Sequence, residues 1–285
     1  MAASRENLRI AIIGAGRLGT ALAQRLSEAG VPIEEIVLRN SSESAGKWKL
    51  SKELRRAAVP AKRARLSAKI VWFCVPDSKI ADSAEEFSDR EWKGKIALHS
   101  SGVLASEALA ELWRRGASVA SVHPLMTFVS GSIPELRGVP FAVEGDAEAV
   151  KLARRIVKRL GGVPFRVRKQ EKLAYHAFAT MICPLLVSLL VASEEVATMA
   201  GLSRREARQR MVPIVWQTLE NYRRLGRAAS FSGPIVRGDV ETVAHHLEAI
   251  RKRPAVRRLY SALALAALEY LPNKNRKQLR AVLAA

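Results

Sequence analysis

Cysteine is scarce in this chain: Cys74 and Cys183 are the only two among 285 residues. Neither has a metal-ligand spacing to a partner, which excludes a zinc finger or a disulfide framework and suits a reducing cytoplasm. Aromatic residues are few as well, and 6% is poor provision for stacking on nucleobases. Acidic residues are outnumbered, 27 Asp and Glu against 47 Lys and Arg, for a formal net charge of +20. Such a balance draws in nucleic acid or anionic membranes when it is concentrated in a patch. Here the basic residues are spread along the whole chain and interleaved with acids. That argues against a nucleic-acid partner and for an arginine-rich surface that also attracts anionic small molecules. No low-complexity tract or internal repeat is present. The opening "MAASRENLRIAIIGAG" lacks a signal-peptide layout, because charges interrupt it and its apolar run is short. There is no HExxH and no carboxylate–histidine cluster, and the adjacent His245 and His246 would point about 100° apart on a helix. No metal is expected.

One segment lacks charge altogether. From Leu173 to Ser193, "LAYHAFATMICPLLVSLLVAS" contains no Asp, Glu, Lys or Arg. Its length could span a bilayer. Tyr175, His176, Pro184 and several Ser and Thr residues weigh instead for a helix buried in a domain or dimer core.

What the chain does have begins with length for two domains and a normal hydrophobic fraction of 48%. "LRIAIIGAGRLGTALAQRLSEAG", Leu8 to Gly30, reads as strand, glycine turn and amphipathic helix. Gly14, Gly16 and Gly19 have G-x-G-x-x-G spacing in the context that a dinucleotide-binding turn requires. Gly14 permits the tight turn, Gly16 lets the backbone approach a pyrophosphate, and Gly19 allows close helix–strand packing. Arg17 and Leu18 open the helix, whose N-terminal N–H groups and dipole favour an anion. The rival reading is a relic turn that kept its glycines for packing.

The second strand is expected over Glu35 to Leu38, with Arg39 at its end. An acid there would accept from both ribose hydroxyls and repel a 2′-phosphate. Arg39 does the reverse, because its planar fork pairs with phosphate. Asn40, Ser41 and Ser42 add donors. The stretch therefore reads as selection for NADP over NAD, against the plainer reading of a surface arginine.

"KIVWFCVPD" is a continuous apolar run that ends in a turn, as a buried parallel strand does. It places Val75 and Pro76 at the ligand end of the sheet. "KIALHSSGV" delivers His99, Ser100, Ser101 and Gly102 there, and "ASVASVHPLMTF" delivers His123–Pro124. "GVPFAVEGD" and "GVPFRVRKQ" predict two more strands around a helix over Ala147 to Leu160. After about residue 168 the pattern is helical: Gln170 towards Met199, Ser203 to Leu225 with Ser203 as N-cap, Asp239 to Arg251, Pro254 to Tyr270, and Lys274 onwards. The fold class expected is α/β, a mostly parallel doubly wound Rossmann domain over residues 1–168, followed by an all-α domain over 169–285. "SFSGPIVRGD", Ser230 to Asp239, is a loop of unusual chemistry. In it Asp239 either caps the next helix and pairs with Arg237, or the loop faces an active site.

Taken together, "GAGRLGTALA", "VPDSKI", "HSSGVL", "SVHPLMTF", "GVPFAVEGD", "YHAFATM" and "SGPIVRGDVETVAHHL" resemble a family of bacterial Rossmann-like oxidoreductases. That family carries a C-terminal helical domain of unknown function, similar to that of 6-phosphogluconate dehydrogenase. The likeness spans nearly the whole chain, and pyrroline-5-carboxylate reductase and prephenate dehydrogenase are similar more distantly. The resemblance implies NADP(H) as cofactor, a homodimer through the helical domain, and an active site between the domains. It leaves a deazaflavin open as the hydride acceptor, and it does not supply the substrate.

Hydride transfer at a C–O or C–N bond needs a proton relay, and histidine is suited to it. His123 is the first catalytic candidate; a similar HP dipeptide in prephenate dehydrogenases carries a substrate-contacting histidine. The alternative is that it only shapes the loop before Pro124. His176 is the second. In related hydroxyacid dehydrogenases the corresponding helix carries a catalytic lysine, and here Lys172 lies one turn from His176 on the same face. Ser100, Ser101, Lys172 and Arg237 are candidates for substrate binding. The activity expected is reversible NADPH-dependent reduction of a carbonyl or imine in a small metabolite, anionic ones included. A non-catalytic NADP(H) sensor is the rival.

Overall fold

The computed structural model describes residues 8–39 and 50–284. Asn40, Ser41 and Ser42 lie outside these residues. The chain divides into two compact units, Met1–Met181 and Ile182–Ala285. The division expected at 168/169 thus falls at 181/182, because the helix after residue 171 packs with the sheet.

Among the described residues the first unit has eight strands: β1 Ile10–Ile13, β2 Ile33–Leu38, β3 Ala58–Pro60, β4 Ile70–Phe73, β5 Ile96–His99, β6 Ser118–Pro124, β7 Pro140–Gly145 and β8 Val163–Arg166. They form one sheet in the order β3-β2-β1-β4-β5-β6-β7-β8. The first six are mutually parallel, β7 runs antiparallel to β6, and β8 is parallel to β7. The connection from β6 to β7 contains no helix, whereas parallel neighbours are usually joined by a helical crossover. The helix between β7 and β8 restores the parallel sense. The short β3 had no counterpart in the sequence reading.

Among the described residues, six helices belong to this unit: α1 Arg17–Glu28, α2 Lys52–Arg56, α3 Ile80–Glu86, α4 Ala110–Arg114, α5 Ala147–Arg159 and α6 Lys172–Ile182, whose last residue crosses the division. Alternation along the strands feeds both faces of the sheet. Ile10, Ile12, Ile70 and Trp72 join one core with Leu22 and Leu26 of α1. Ala11, Ile13, Val71 and Phe73 join the other with Ile80 and Leu112.

The second unit is helical: α7 Pro184–Met199, α8 Arg204–Ala229, α9 Pro234–Arg237, α10 Val240–Ala249, α11 Pro254–Tyr270 and α12 Arg276–Ala284. Val243, Leu247, Ala264, Leu268, Leu279 and Leu283 make its core. Ser203 caps α8 as expected, accepting from the backbone N–H of Glu206 at 3.2 Å.

The uncharged segment departs from expectation in two ways. It is two helices, broken at Cys183, because Pro184 has no N–H with which to continue the first. Nor is it buried within the chain: Leu185 is 53% exposed and Val191 51%, and Trp216 on the neighbouring α8 reaches 72%. By length and composition Lys169–Met199 could cross a membrane. α7 and α8 pack together, and their outer apolar stripes stay exposed among the described residues.

Candidate active site

Parallel strands β1, β4, β5 and β6 bring their C-terminal ends to one edge of the sheet. At β1 the chain turns at Gly14, whose φ of +99° suits glycine and whose added Cβ would lie 2.7 Å from the Cys74 carbonyl oxygen. A Cβ on Gly19 would fall 1.9 Å from the Gly14 carbonyl oxygen. These two glycines are fixed by packing. Gly16 is different. It stands at the N-cap of α1 without a side-chain cap, and a Cβ there would meet no atom within 4 Å. The open backbone above a free helix N-terminus fits a dinucleotide pyrophosphate. Arg17 is exposed, Leu18 is partly buried, Arg39 is exposed at the end of β2, and half-buried Val75 and exposed Pro76 follow β4.

Farther along the same edge, four aromatic rings meet. His123 Nδ1 lies 2.7 Å from the Tyr175 hydroxyl. The two rings stand edge to face, and Phe165 packs against Tyr175 in the same manner. The His123 and His176 rings are 6.4 Å apart between centroids. Gly102 lies beside both: a Cβ added there would sit 2.7 Å from His176 Cδ2 and 2.9 Å from His123 Nε2. A glycine is what lets the two imidazoles approach this backbone.

Lys172 opens α6, yet its side chain is buried. Its Nζ donates to the Ser121 hydroxyl at 2.5 Å and to the Ser101 carbonyl at 3.1 Å. The Ser121 hydroxyl in turn donates to that carbonyl at 3.1 Å. Burial lowers the Lys172 ammonium to about 8, and the Glu144 and Asp77 carboxylates oppose the shift. Burial, then the Lys172 cation, then His176 push His123 down to about 4. His99 is pushed to about 4 by burial and Lys172, partly offset by its bond to Ala105. Both are therefore neutral imidazoles at neutral pH. Burial raises the Tyr175 phenol to about 12. Burial also raises the Glu144 carboxyl, which accepts from the Ser106 backbone N–H at 2.6 Å and from its hydroxyl at 3.1 Å.

His123, His176, Ser101 and Lys172 are thus brought together. The serines hold the turn: Ser101 Oγ accepts from the backbone N–H groups of Val103 at 3.2 Å and Leu104 at 2.9 Å. Ser100 Oγ accepts from Trp72 Nε1 at 2.8 Å. His99 is spent on the same turn, accepting from Ser101 N–H at Nδ1, 3.2 Å, with Nε2 3.0 Å from the Ala105 carbonyl. Arg237 belongs to the second unit, where it ion-pairs with Asp239 at 3.7 Å. Ser121 gave no signal in the sequence, and Tyr175 as a partner of His123 and Gly102 as a steric gap gave none for those roles. Tyr175 sits inside the uncharged run beside His176, and that polar pair marks the position without its partner.

Comparison with known proteins accounts for both parts of the chain. Residues 9–99 match the family described as NADP oxidoreductase, coenzyme F420-dependent. Residues 139–267 match the domain of unknown function DUF2520. The chain joins an NADP oxidoreductase domain to a DUF2520 domain. The second match starts in β7, so the DUF2520 region takes in the last two strands, α6 with Lys172, Tyr175 and His176, and much of the helical unit. Among solved structures, a candidate NADP oxidoreductase from Bacteroides fragilis is 22% identical, with a TM-score of 0.75 over 92% of this chain and 98% of that one. Pyrroline carboxylate reductase from Plasmodium falciparum, solved with NADP bound, is 14% identical with a TM-score of 0.62, covering 98% and 99%. A reductive aminase from Aspergillus terreus, in complex with NADPH and ethyl levulinate, is 14% identical with a TM-score of 0.62, covering 96% and 98%. No curated protein matches the sequence. The chain shares its two-part fold with these proteins.

Proposed function

We propose that the protein is an NADP(H)-dependent oxidoreductase that moves hydride to or from the carbonyl or imine carbon of a small metabolite. One observation carries the reading: two imidazoles converge on a glycine backbone at the sheet edge that also bears the open Gly16 turn. When bound, the nicotinamide would supply or accept the hydride. The chain's own residues would do the rest. Gly14, Gly16, Arg17, Leu18 and Gly19 would hold the pyrophosphate, with Val75 and Pro76 beside it. Arg39 would pair with the 2′-phosphate, together with Asn40 and Ser41. His123 and His176 would serve the substrate's heteroatom, and Ser100, Ser101 and Lys172 would keep their turn and rings in place. The N-terminal family match favours a second acceptor, coenzyme F420, for the same hydride.

The free cysteines Cys74 and Cys183 support a cytoplasmic setting, and the exposed apolar stripes of α7 and α8 support a homodimer formed there. Arg237 as a substrate contact remains part of this reading. The test is a titration with NADPH and NADH on wild type and Arg39→Ala, followed by a screen of ketones, imines and F420. Tight NADPH binding that loses its preference in the variant supports the proposal. Failure to bind either nucleotide overturns it. Tight binding with no turnover of any acceptor favours an NADP(H) sensor.

A further inference from the structure

His123 is neutral at neutral pH, so one of its two nitrogens carries a proton and the other a lone pair. Which is which decides whether the ring donates to a substrate or takes a proton from it. Nδ1 faces the Tyr175 hydroxyl at 2.7 Å, and Nε2 faces the backbone at Gly102. Two arrangements satisfy the short contact. Either Nδ1–H donates to the phenol oxygen, or the phenol O–H donates to Nδ1. A phenol O–H is the stronger donor, and an imidazole lone pair is the stronger acceptor. Tyr175 also makes no other hydrogen bond among the described residues, so the first arrangement would leave its half-buried hydroxyl proton unused.

We propose that Tyr175 is a positioning residue that donates its O–H to His123 Nδ1, fixes the Nε2–H tautomer, and so fits the site to a carbonyl substrate rather than an iminium. This rests on the oxidoreductase reading. A neutral N–H can donate to a carbonyl oxygen, whereas an iminium nitrogen has no lone pair to accept. The charge points the same way, because the Lys172 ammonium, near enough to act on His123, disfavours a cationic substrate. The proton balance agrees as well. As the carbonyl carbon gains hydride, the C=O π pair moves to oxygen, which takes the Nε2 proton. Nδ1 takes the Tyr175 proton in its place, so the imidazole ends neutral. The phenolate regains a proton from water. An alkoxide is a far stronger base than a phenolate, so the relay runs downhill even though burial makes Tyr175 a weak acid. An iminium that gains hydride becomes a neutral amine and needs no proton.

Two measurements on the full chain test this. Nitrogen-15 spectra of the His123 ring, assigned with His123→Ala, should show a protonated Nε2 and an unprotonated Nδ1 in wild type, and mixed tautomers in Tyr175→Phe. A protonated Nδ1 in wild type overturns the role of Tyr175. NADPH oxidation should then be followed with a panel of ketones and aldehydes against permanently charged iminium salts. Turnover of carbonyls, with kcat about 100-fold lower in Tyr175→Phe at unchanged KM, is the expected result. Preference for iminium salts, unchanged kcat in the variant, or no carbonyl turnover by a protein that binds NADPH would overturn the substrate class. A protein that binds no NADPH would remove the oxidoreductase reading and the carbonyl assignment with it. The nitrogen spectra would still decide the role of Tyr175.

Discussion

The ammonium of Lys172 donates to the Ser121 hydroxyl at 2.5 Å, joining the first turn of α6 to the middle of β6. A buried lysine is costly unless its donors are used. Here two of the three are, on Ser121 and on the Ser101 carbonyl. Burial chiefly holds His99 and His123 below the usual histidine range, and the Lys172 charge, acting at a distance, lowers both further. Lys172→Met keeps the length of the side chain and removes both effects. It should cost about 1 kcal/mol of stability through the lost hydrogen bonds, measured by urea unfolding. It should also move the His123 titration upward, followed by NMR. A His123 titration that does not move would mean that the ring does not feel the Lys172 charge.

Gly102→Ala tests the approach of the two imidazoles. The new methyl would fall within 3 Å of both His176 and His123, so at least one ring must turn away. The expected result is intact NADPH affinity and a fall of about 100-fold in kcat on whatever acceptor wild type uses, the size of loss that misplaced groups cause. Equal activity in the variant would show that the rings can separate without consequence.

The buried histidines set a pH dependence of stability. His99 is fully buried, with its folded pKa near 4 against an ordinary 6.5. A depressed pKa means that the unfolded chain binds the proton more readily. The stabilisation is complete above the unfolded value and is lost as pH falls from 6.5 towards 4. Between pH 7 and 4.5 the loss from His99 should be about 2–3 kcal/mol. Half-buried His123 should add less, because solvent screens it. Urea midpoints at several pH values, for wild type and His99→Gln, read this directly. The variant should show the shallower slope, and matching slopes would rule His99 out as the source.

The glycine turn and the parallel strands were legible in the sequence because both depend on local pattern: spacing of Gly14, Gly16 and Gly19, and runs such as Ile70 to Phe73. The sense of β7 was not, since "GVPFAV" and "GVPFRV" read alike and only the helix-free link from β6 goes with the reversal. His123, His176 and Lys172 were legible as candidates. The Tyr175 bond to His123 was not, because it joins residues 52 positions apart that no periodicity relates. What covers α7 was not legible for a related reason. An apolar helix looks the same in sequence whether its own chain or another surface covers it.

The Ser232–Asp239 stretch offers a last separation of structure from chemistry. Gly238 ends α9 at φ +71°, and a Cβ there would lie 2.7 Å from the Lys274 carbonyl oxygen. Its own carbonyl accepts from Asn275 Nδ2 at 2.8 Å, and Asp239 then caps α10 through the Thr242 N–H. The glycine is needed twice over, for its left-handed backbone and for the close approach of residue 274. Gly238→Ala should therefore destabilise the protein by about 2 kcal/mol, with faster hydrogen exchange at 232–242 and 274–276. Arg237, with an exposed and long ion pair to Asp239, should contribute little: Arg237→Ala is expected within about 0.5 kcal/mol of wild type. That makes it a clean probe of the substrate role. A raised KM in a variant of unchanged stability would assign Arg237 to the substrate, whereas unchanged KM and kcat would leave the loop a structural joint.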